Sequence, residues 1–225
     1  MSTNEIRKPN KEIANKGELH CPCVIAIDTS GSMCSEEQKL NEAIKTFIDA
    51  IKSDPMAKGR VEPMIITFNS TVDVVSTFGP VYDYDVPTVT CSGTTSFYQA
   101  IDQALDEIEL RKKEYRDVQS PFYRPWLMVF TDGYPTDKDN GVSTRLLQAQ
   151  KNKKVVFFSC AIGDGCDEEL LKSLHTDHIT LKADKETFQN AFAWLSDSMS
   201  AVSSSKPGET VKMPNPSNYQ ISVEV

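Results

Sequence analysis

Short apolar segments alternate along the chain with segments whose apolar residues recur every three to four positions. Continuous apolar runs are typical of strands buried on both faces of a sheet, and the wider spacing is typical of amphipathic helices. Six strands are predicted, over residues 24–27, 60–68, 72–78, 125–131, 155–161 and 178–181. The alternation predicts an α/β fold.

Helices are predicted between these strands and after the last of them. The clearest apolar face belongs to the first helix and contains Leu40, Ala43, Ile44, Phe47, Ile48 and Ile51. A second helix is indicated by Phe97, Ile101, Ala104, Leu105 and Ile108, and the last by Phe188, Ala191, Phe192, Leu195 and Met199. Two weaker patterns, around Leu146 and Leu171, complete the set.

The segment from residue 60 to residue 78 differs from the rest, because its two strands are separated only by the turn residues "NST". A turn this short favours a hairpin. The sequence therefore predicts a doubly wound, mostly parallel sheet with one antiparallel edge strand and helices on both faces. Ligands of such sheets bind at the carboxyl ends of the strands.

The length, composition and net charge of the chain limit the classes of protein to which it can belong. A chain of 225 residues with 39% hydrophobic and 25% charged residues suits one globular domain. A formal net charge of −8 argues against nucleic acid as the partner. The first twenty residues are polar and contain no apolar segment of the kind found in signal peptides. No apolar run in the chain reaches the roughly 20 residues needed to span a bilayer. We therefore expect a cytoplasmic protein with no membrane partner.

Both ends of the chain differ in composition from the middle. We predict an N-terminal extension over residues 1–20, a folded domain over residues 21–202, and a C-terminal tail over residues 203–225 that is rich in Ser and Pro. The tail has the composition of a linker or a disordered end. Its last five residues, "ISVEV", alternate as a strand does, so they could instead add to the sheet edge of a partner.

The six cysteines do not indicate a metal site or a disulfide framework. Cys21 and Cys23 are spaced as C-x-C rather than C-x-x-C, and the chain is large for a disulfide-stabilised fold. We expect reduced cysteines, most of them buried.

Three polar clusters follow predicted strands or precede predicted helices. They are Asp28, Ser30 and Ser32 in "DTSGS", the residues of "GTTS" before the second helix, and Asp132 in "FTDG". Each alone fits a helix cap or a turn. In a doubly wound sheet, however, all three can meet at one edge.

Carboxylates and hydroxyls are hard oxygen donors, which suit Mg²⁺, Mn²⁺ or Ca²⁺ rather than Zn²⁺ or copper. Asp28, Ser30 and Ser32 alternate in sequence, so an extended loop would point them the same way. Gly31 permits the bend that such a loop needs to surround an ion.

The motif "DTSGS" resembles the D-x-S-x-S of the von Willebrand factor A domain family, where it forms the metal-ion-dependent adhesion site. That family also uses a Thr after a glycine-rich turn and an Asp after the fourth strand, matched here by Thr95 and Asp132. The pattern of "GTTSFYQAI" selects Thr95, with Thr94 as the alternative. The resemblance covers residues 21–200. "DTSGSM", "ITFNST" and "LMVFTDGYPTD" further resemble stand-alone bacterial proteins of the tellurite-resistance type.

The resemblance implies a Mg²⁺ site with Mn²⁺ or Ca²⁺ as possible substitutes. Ser30 and Ser32 would bind the ion directly, Thr95 directly or through water, and Asp28 and Asp132 mainly through water. Neutral hydroxyl donors leave the ion most of its charge, which favours an Asp or Glu supplied by a protein partner. The implied function is adhesion, with no catalytic residue.

An enzyme is the competing interpretation, because phosphotransferases of the haloacid dehalogenase type also begin with a strand that ends in Asp. They require D-x-D, and Ser30 occupies the position of the second acid, where it cannot act as a general acid. The chain also lacks G-x-x-x-x-G-K-[ST] and G-x-S-x-G. A third alternative is a domain of this family that binds mainly through its C-terminal tail.

Overall fold

A computed structural model describes residues 10–177, 180–206 and 209–224. Its sheet has the strand order β3-β2-β1-β4-β5-β6-β7. The strands are β1 (Cys21–Asp28), β2 (Val61–Phe68), β3 (Val72–Ser76), β4 (Trp126–Thr131), β5 (Val156–Ile162), β6 (Thr180–Ala183) and β7 (Ser222–Glu224). The helices are α1 (Glu37–Ser53), α2 (Ala57–Arg60), α3 (Phe97–Asp117), α4 (Val142–Lys151), α5 (Glu168–Ser173) and α6 (Gln189–Ser204).

The sheet separates two hydrophobic cores, and β1 contributes to both. Its residues Cys23, Ile25 and Ile27 face the core under α1 and α6, while Val24 and Ala26 face the core under α3, α4 and α5. This alternation follows from the two-residue period of a strand. Since β1 is buried on both faces, its sequence is a continuous apolar run.

The predicted fold class is confirmed. The five strands β1, β2, β4, β5 and β6 are parallel, and β3 pairs with β2 in the antiparallel direction through the predicted hairpin. The sixth predicted strand began at residue 178, which lies outside the described residues, and β6 is seen from Thr180. The short helix α2 was not predicted. Within the described residues, no helix is both long and apolar enough to cross a membrane.

The C-terminal segment differs from its prediction as a linker, a disordered end or a strand for a partner's sheet. Residues 222–224 form β7, which pairs antiparallel with β6 of the same chain and gives the sheet a second antiparallel edge. Ile221 is buried, and Val211 and Met213 pack against the core beneath α6. The indole of Trp194 donates a hydrogen bond to the carbonyl of Pro214 over 2.9 Å. Buried apolar side chains therefore hold the segment to its own domain.

A buried group of polar side chains lies at the amino end of β2, opposite the predicted site. Glu62 accepts hydrogen bonds from Arg111 Nε over 2.9 Å and from the hydroxyl of Tyr115 over 2.6 Å. His20 Nδ1 lies 2.9 Å from the other Glu62 oxygen. Arg111 also donates to the carbonyl of Lys11 over 3.1 Å, so this cluster connects the N-terminal segment to β2 and α3.

The Glu62 cluster predicts a pH dependence of stability. Burial alone would raise the pKa of Glu62, but the close contact with His20 and the charge of Arg111 outweigh it and lower that pKa. A lowered carboxyl pKa stabilises the fold above the unfolded value of about 4.3, and the benefit is lost as pH falls through the folded value. Urea titrations should show that the free energy of unfolding of the wild type exceeds that of Glu62→Gln by the largest amount at neutral pH. A difference that stayed constant down to pH of about 3 would contradict this.

Candidate metal centre

Three loops meet at the carboxyl edge of the sheet, where the predicted site residues lie. The loop after β1 is held to the loop before α3 by two backbone hydrogen bonds, from Gly31 to the Gly93 carbonyl over 3.0 Å and from Ser92 to the Thr29 carbonyl over 2.8 Å. A Cβ on residue 31 would lie 3.3 Å from the Gly93 oxygen, and Gly93 has a φ of +76°. Glycine at position 31 therefore permits the close approach of the two loops, and glycine at position 93 permits the left-handed backbone of the second loop.

A continuous series of short contacts joins the first and third polar clusters. Asp28 accepts from the Ser30 amide over 2.8 Å and from the hydroxyl of Thr131 over 2.6 Å. The hydroxyls of Ser30 and Ser32 lie 3.1 Å apart, and Ser32 donates to Asp132 Oδ1 over 2.6 Å. The structure thus brings four of the five predicted residues into one network across β1 and β4.

Thr95 lies at the same place, whereas Thr94 points away from it. A Cβ built on Gly133 would lie 3.8 Å from Thr95 Oγ1 and 3.9 Å from Ser32 Oγ, so both hydroxyls face the same point. Thr136 fixes the Thr95 backbone, since its hydroxyl accepts from the amide and lies 3.0 Å from the carbonyl oxygen. Thr94 is exposed, and its hydroxyl donates to Ser70 over 3.2 Å.

The acidic residues of the cluster are removed from solvent. Asp28 is fully buried, and 3% of Asp132 is exposed. Burial raises the pKa of Asp28, an effect that the hydrogen bonds from Ser30 and Thr131 oppose and the nearby charge of Asp132 reinforces. Two buried carboxylates at one site are unfavourable together, and a cation near both would offset that cost.

Two residues of the site were missed by the sequence analysis. Thr131 lies in the quoted "FTDG" segment and was passed over, although its hydroxyl holds Asp28. Lys185, in the loop after β6, places its ammonium 2.9 Å from Asp132 Oδ2 and 3.2 Å from the Ser32 carbonyl. The sequence signal for Lys185 was its position just beyond a strand end, at the edge where the three clusters were expected.

The chemistry of the side chains fits a hard divalent cation. Three hydroxyls and two carboxylates supply only oxygen, the donor that Mg²⁺, Mn²⁺ and Ca²⁺ prefer. The contact of Lys185 with Asp132 and a backbone carbonyl shows that this edge accommodates positive charge. In the described part of the chain, no group of three or more His, Cys, Asp or Glu residues is arranged to hold a metal, so the case for this site depends on its hydroxyls together with its two carboxylates.

Most of the cysteines are buried, as predicted. All six are free thiols, and Cys21, Cys23, Cys160 and Cys166 are buried. Cys34 is exposed and donates to the carbonyl of Cys91 over 3.1 Å, a further contact between the loop after β1 and the loop before α3.

Comparison with curated protein sequences gave no significant match. Solved structures with the same fold include an ArnB paralog, VWA2, from Sulfolobus acidocaldarius, with 18% identity and a TM-score of 0.58 over 81% of this chain and 46% of that one. The vWF domain of the pilus tip protein Mfa5 from Porphyromonas gingivalis has 11% identity and a TM-score of 0.63 over 86% and 99% of the two chains.

Another similar structure is proximal thread matrix protein 1 from the mussel byssus, solved with a zinc-occupied MIDAS motif. It has 12% identity and a TM-score of 0.54, over 81% of this chain and 48% of that one. The chain therefore spans less than half the length of the archaeal and mussel proteins. The family model of the von Willebrand factor type A domain matches residues 23–194, most of the chain. This chain belongs to the von Willebrand factor type A domain family.

Proposed function

We propose that this domain binds a protein partner through a divalent cation. Ser30, Ser32 and Thr95 would hold the ion with their hydroxyls, and Asp28 and Asp132 would hold it mainly through water. The observation that carries the proposal is the network from Asp28 to Asp132, with the Thr95 hydroxyl facing the same point as Ser32. A bound ion would supply a positive coordination position for an oxygen ligand.

The partner we propose supplies an Asp or Glu side chain. Neutral hydroxyls in direct contact with the ion would leave its charge largely unneutralised, so an anionic oxygen gains more than a neutral one. Asp28 and Asp132 are buried, and they are arranged to hold the ion rather than to meet the partner. The residues at the rim, such as the exposed Tyr134, would determine which partner fits.

We propose Mg²⁺ as the ion, with Mn²⁺ and Ca²⁺ as substitutes, because all the donors are oxygen atoms. Zinc occupies the MIDAS motif of the mussel protein, so Zn²⁺ belongs in any competition experiment. A place in a bacterial stress-response complex of the tellurite-resistance type, in the cytoplasm, is a finer proposal supported by the resemblance of "DTSGSM" and "ITFNST".

The test is capture of a partner from native lysate by the immobilised protein, in Mg²⁺ and in EDTA. The proposal expects a protein that is retained in Mg²⁺, released by EDTA, and no longer retained once its contacting acidic residue is replaced by amide. Retention that EDTA leaves unchanged would contradict the proposal. So would turnover of a phosphoester by the purified protein that depended on Asp28, since that would indicate the phosphotransferase chemistry.

The choice between the two threonines gives a separate prediction. Thr95→Ala should lower the affinity for Mg²⁺ or Mn²⁺ by about tenfold, because it removes a hydroxyl that faces the site. Thr94→Ala is the matched control and should leave the affinity unchanged, since its hydroxyl contacts Ser70. Isothermal titration calorimetry measures both, and a larger loss in Thr94→Ala would reverse the assignment.

A further inference from the structure

Lys185 crosses the end of β5 to reach the metal centre. Its ammonium pairs with Asp132 Oδ2, while Ser32 occupies the other oxygen of the same carboxylate. The space for this crossing comes from Gly163, the residue after β5. A Cβ on Gly163 would lie 3.2 Å from Lys185 Cγ, and Gly163 has a φ of +68° that favours glycine.

The position of Lys185 has two electrostatic consequences. The side chain is 34% exposed whereas that of Asp132 is 1% exposed, so the ammonium lies at the border between the buried acids and solvent. A fixed positive charge there repels a metal ion that shares Asp132. The same charge attracts any anionic group that approaches the site from solvent.

We infer that Lys185 lowers the affinity of this site for the metal ion and raises the affinity of the loaded site for an acidic partner. The inference deepens the proposed function and rests on it. Asp28, Asp132 and Lys185 have formal charges that sum to −1, so a divalent ion leaves the site at +1. Without Lys185 the loaded site would be neutral, and a carboxylate would gain less on binding.

Lys185→Met tests both halves of the inference, because methionine keeps a long unbranched side chain without the charge. Titration calorimetry with Mn²⁺ alone is expected to show at least about tenfold tighter binding than wild type. Acetate then serves as the carboxylate probe for the Mn²⁺-loaded proteins, with water-proton relaxation reporting displacement of water from the ion. The variant is expected to bind acetate about threefold or more weakly.

Lys182→Met is the matched control. It removes the same charge three residues earlier in the chain, but Lys182 pairs with Asp164 and Glu168 rather than with the site. Lys185→Arg should behave as wild type, since it keeps the charge. Equal Mn²⁺ affinity in Lys185→Met and wild type would overturn the inference and leave the proposed function standing. Lack of Mn²⁺ binding by all four proteins would overturn both.

Discussion

Replacement of Arg111 by methionine is expected to lower the free energy of unfolding by about 3–5 kcal/mol, because it leaves the Glu62 carboxylate buried without its charged partner. The side chains of Arg111 and Glu62 are each 1% exposed. The guanidinium also lies 4.9 Å from the ring centroid of Tyr115 and donates to the Lys11 carbonyl. The variant therefore loses an ion pair, a cation–π contact and an anchor of the N-terminal segment together.

Arg145→Met is the control for Arg111→Met, because Arg145 forms ion pairs with Asp102 and Asp106 at the surface. Its side chain is 38% exposed, and a pair of this kind contributes at most about 1 kcal/mol. Urea denaturation of both variants at neutral pH gives the comparison. If Arg111→Met lowered the free energy of unfolding no more than Arg145→Met does, the buried contacts of Glu62 would not be a major source of stability.

The second large effect concerns metal binding. Replacing Ser30 and Ser32 together by alanine is expected to lower the affinity for Mg²⁺ or Mn²⁺ by at least about 100-fold, since two proposed ligands are lost. This corresponds to about 2.7 kcal/mol of binding free energy. Partner capture in Mg²⁺ should disappear with it. Titration calorimetry measures the first change and the capture experiment measures the second.

A folding control is needed for the double variant, because Ser30 and Ser32 belong to a hydrogen-bond network. Asp28 keeps its bond from Thr131, and Asp132 keeps its pair with Lys185, so we expect the metal-free variant to lose no more than about 2 kcal/mol of stability. Ser35→Ala is matched in chemistry and position, since Ser35 is exposed and contacts Glu36. Unchanged metal affinity in the double variant would refute the ligand assignment.

Much of the fold could be predicted because it depends on local patterns. The apolar run before Asp28 and the spacing of Leu40 to Ile51 each report burial within one element. The clustering of Asp28, Ser30, Ser32 and Asp132 was also predictable, because parallel strands carry their carboxyl ends to one edge. Whether a metal binds there remains a prediction.

The sequence analysis missed features that depend on contacts between residues far apart in the chain. The sequence of the strand that contains Glu62 gives no indication of Arg111, which lies 49 residues later. That partner nevertheless permits the burial of the Glu62 carboxylate. The contact of Lys185 with Asp132 could be predicted only by knowing that β5 lies between β4 and β6 and is followed by Gly163, which leaves room for the lysine side chain. The Ser- and Pro-rich composition of the tail did not predict β7. Ile221 and its neighbours stabilise this segment only through contacts with β6 and α6, which are distant in sequence.

The position of β7 has a consequence for self-association. An exposed parallel strand such as β6 would offer unpaired N–H and C=O groups to any other chain, which is a common route to edge-to-edge aggregation. Three residues of β7 occupy those groups on β6. A shortened chain ending at Ser204 would retain every proposed metal ligand but leave the outer edge of β6 without its partner strand, so we expect it to self-associate more than the full chain.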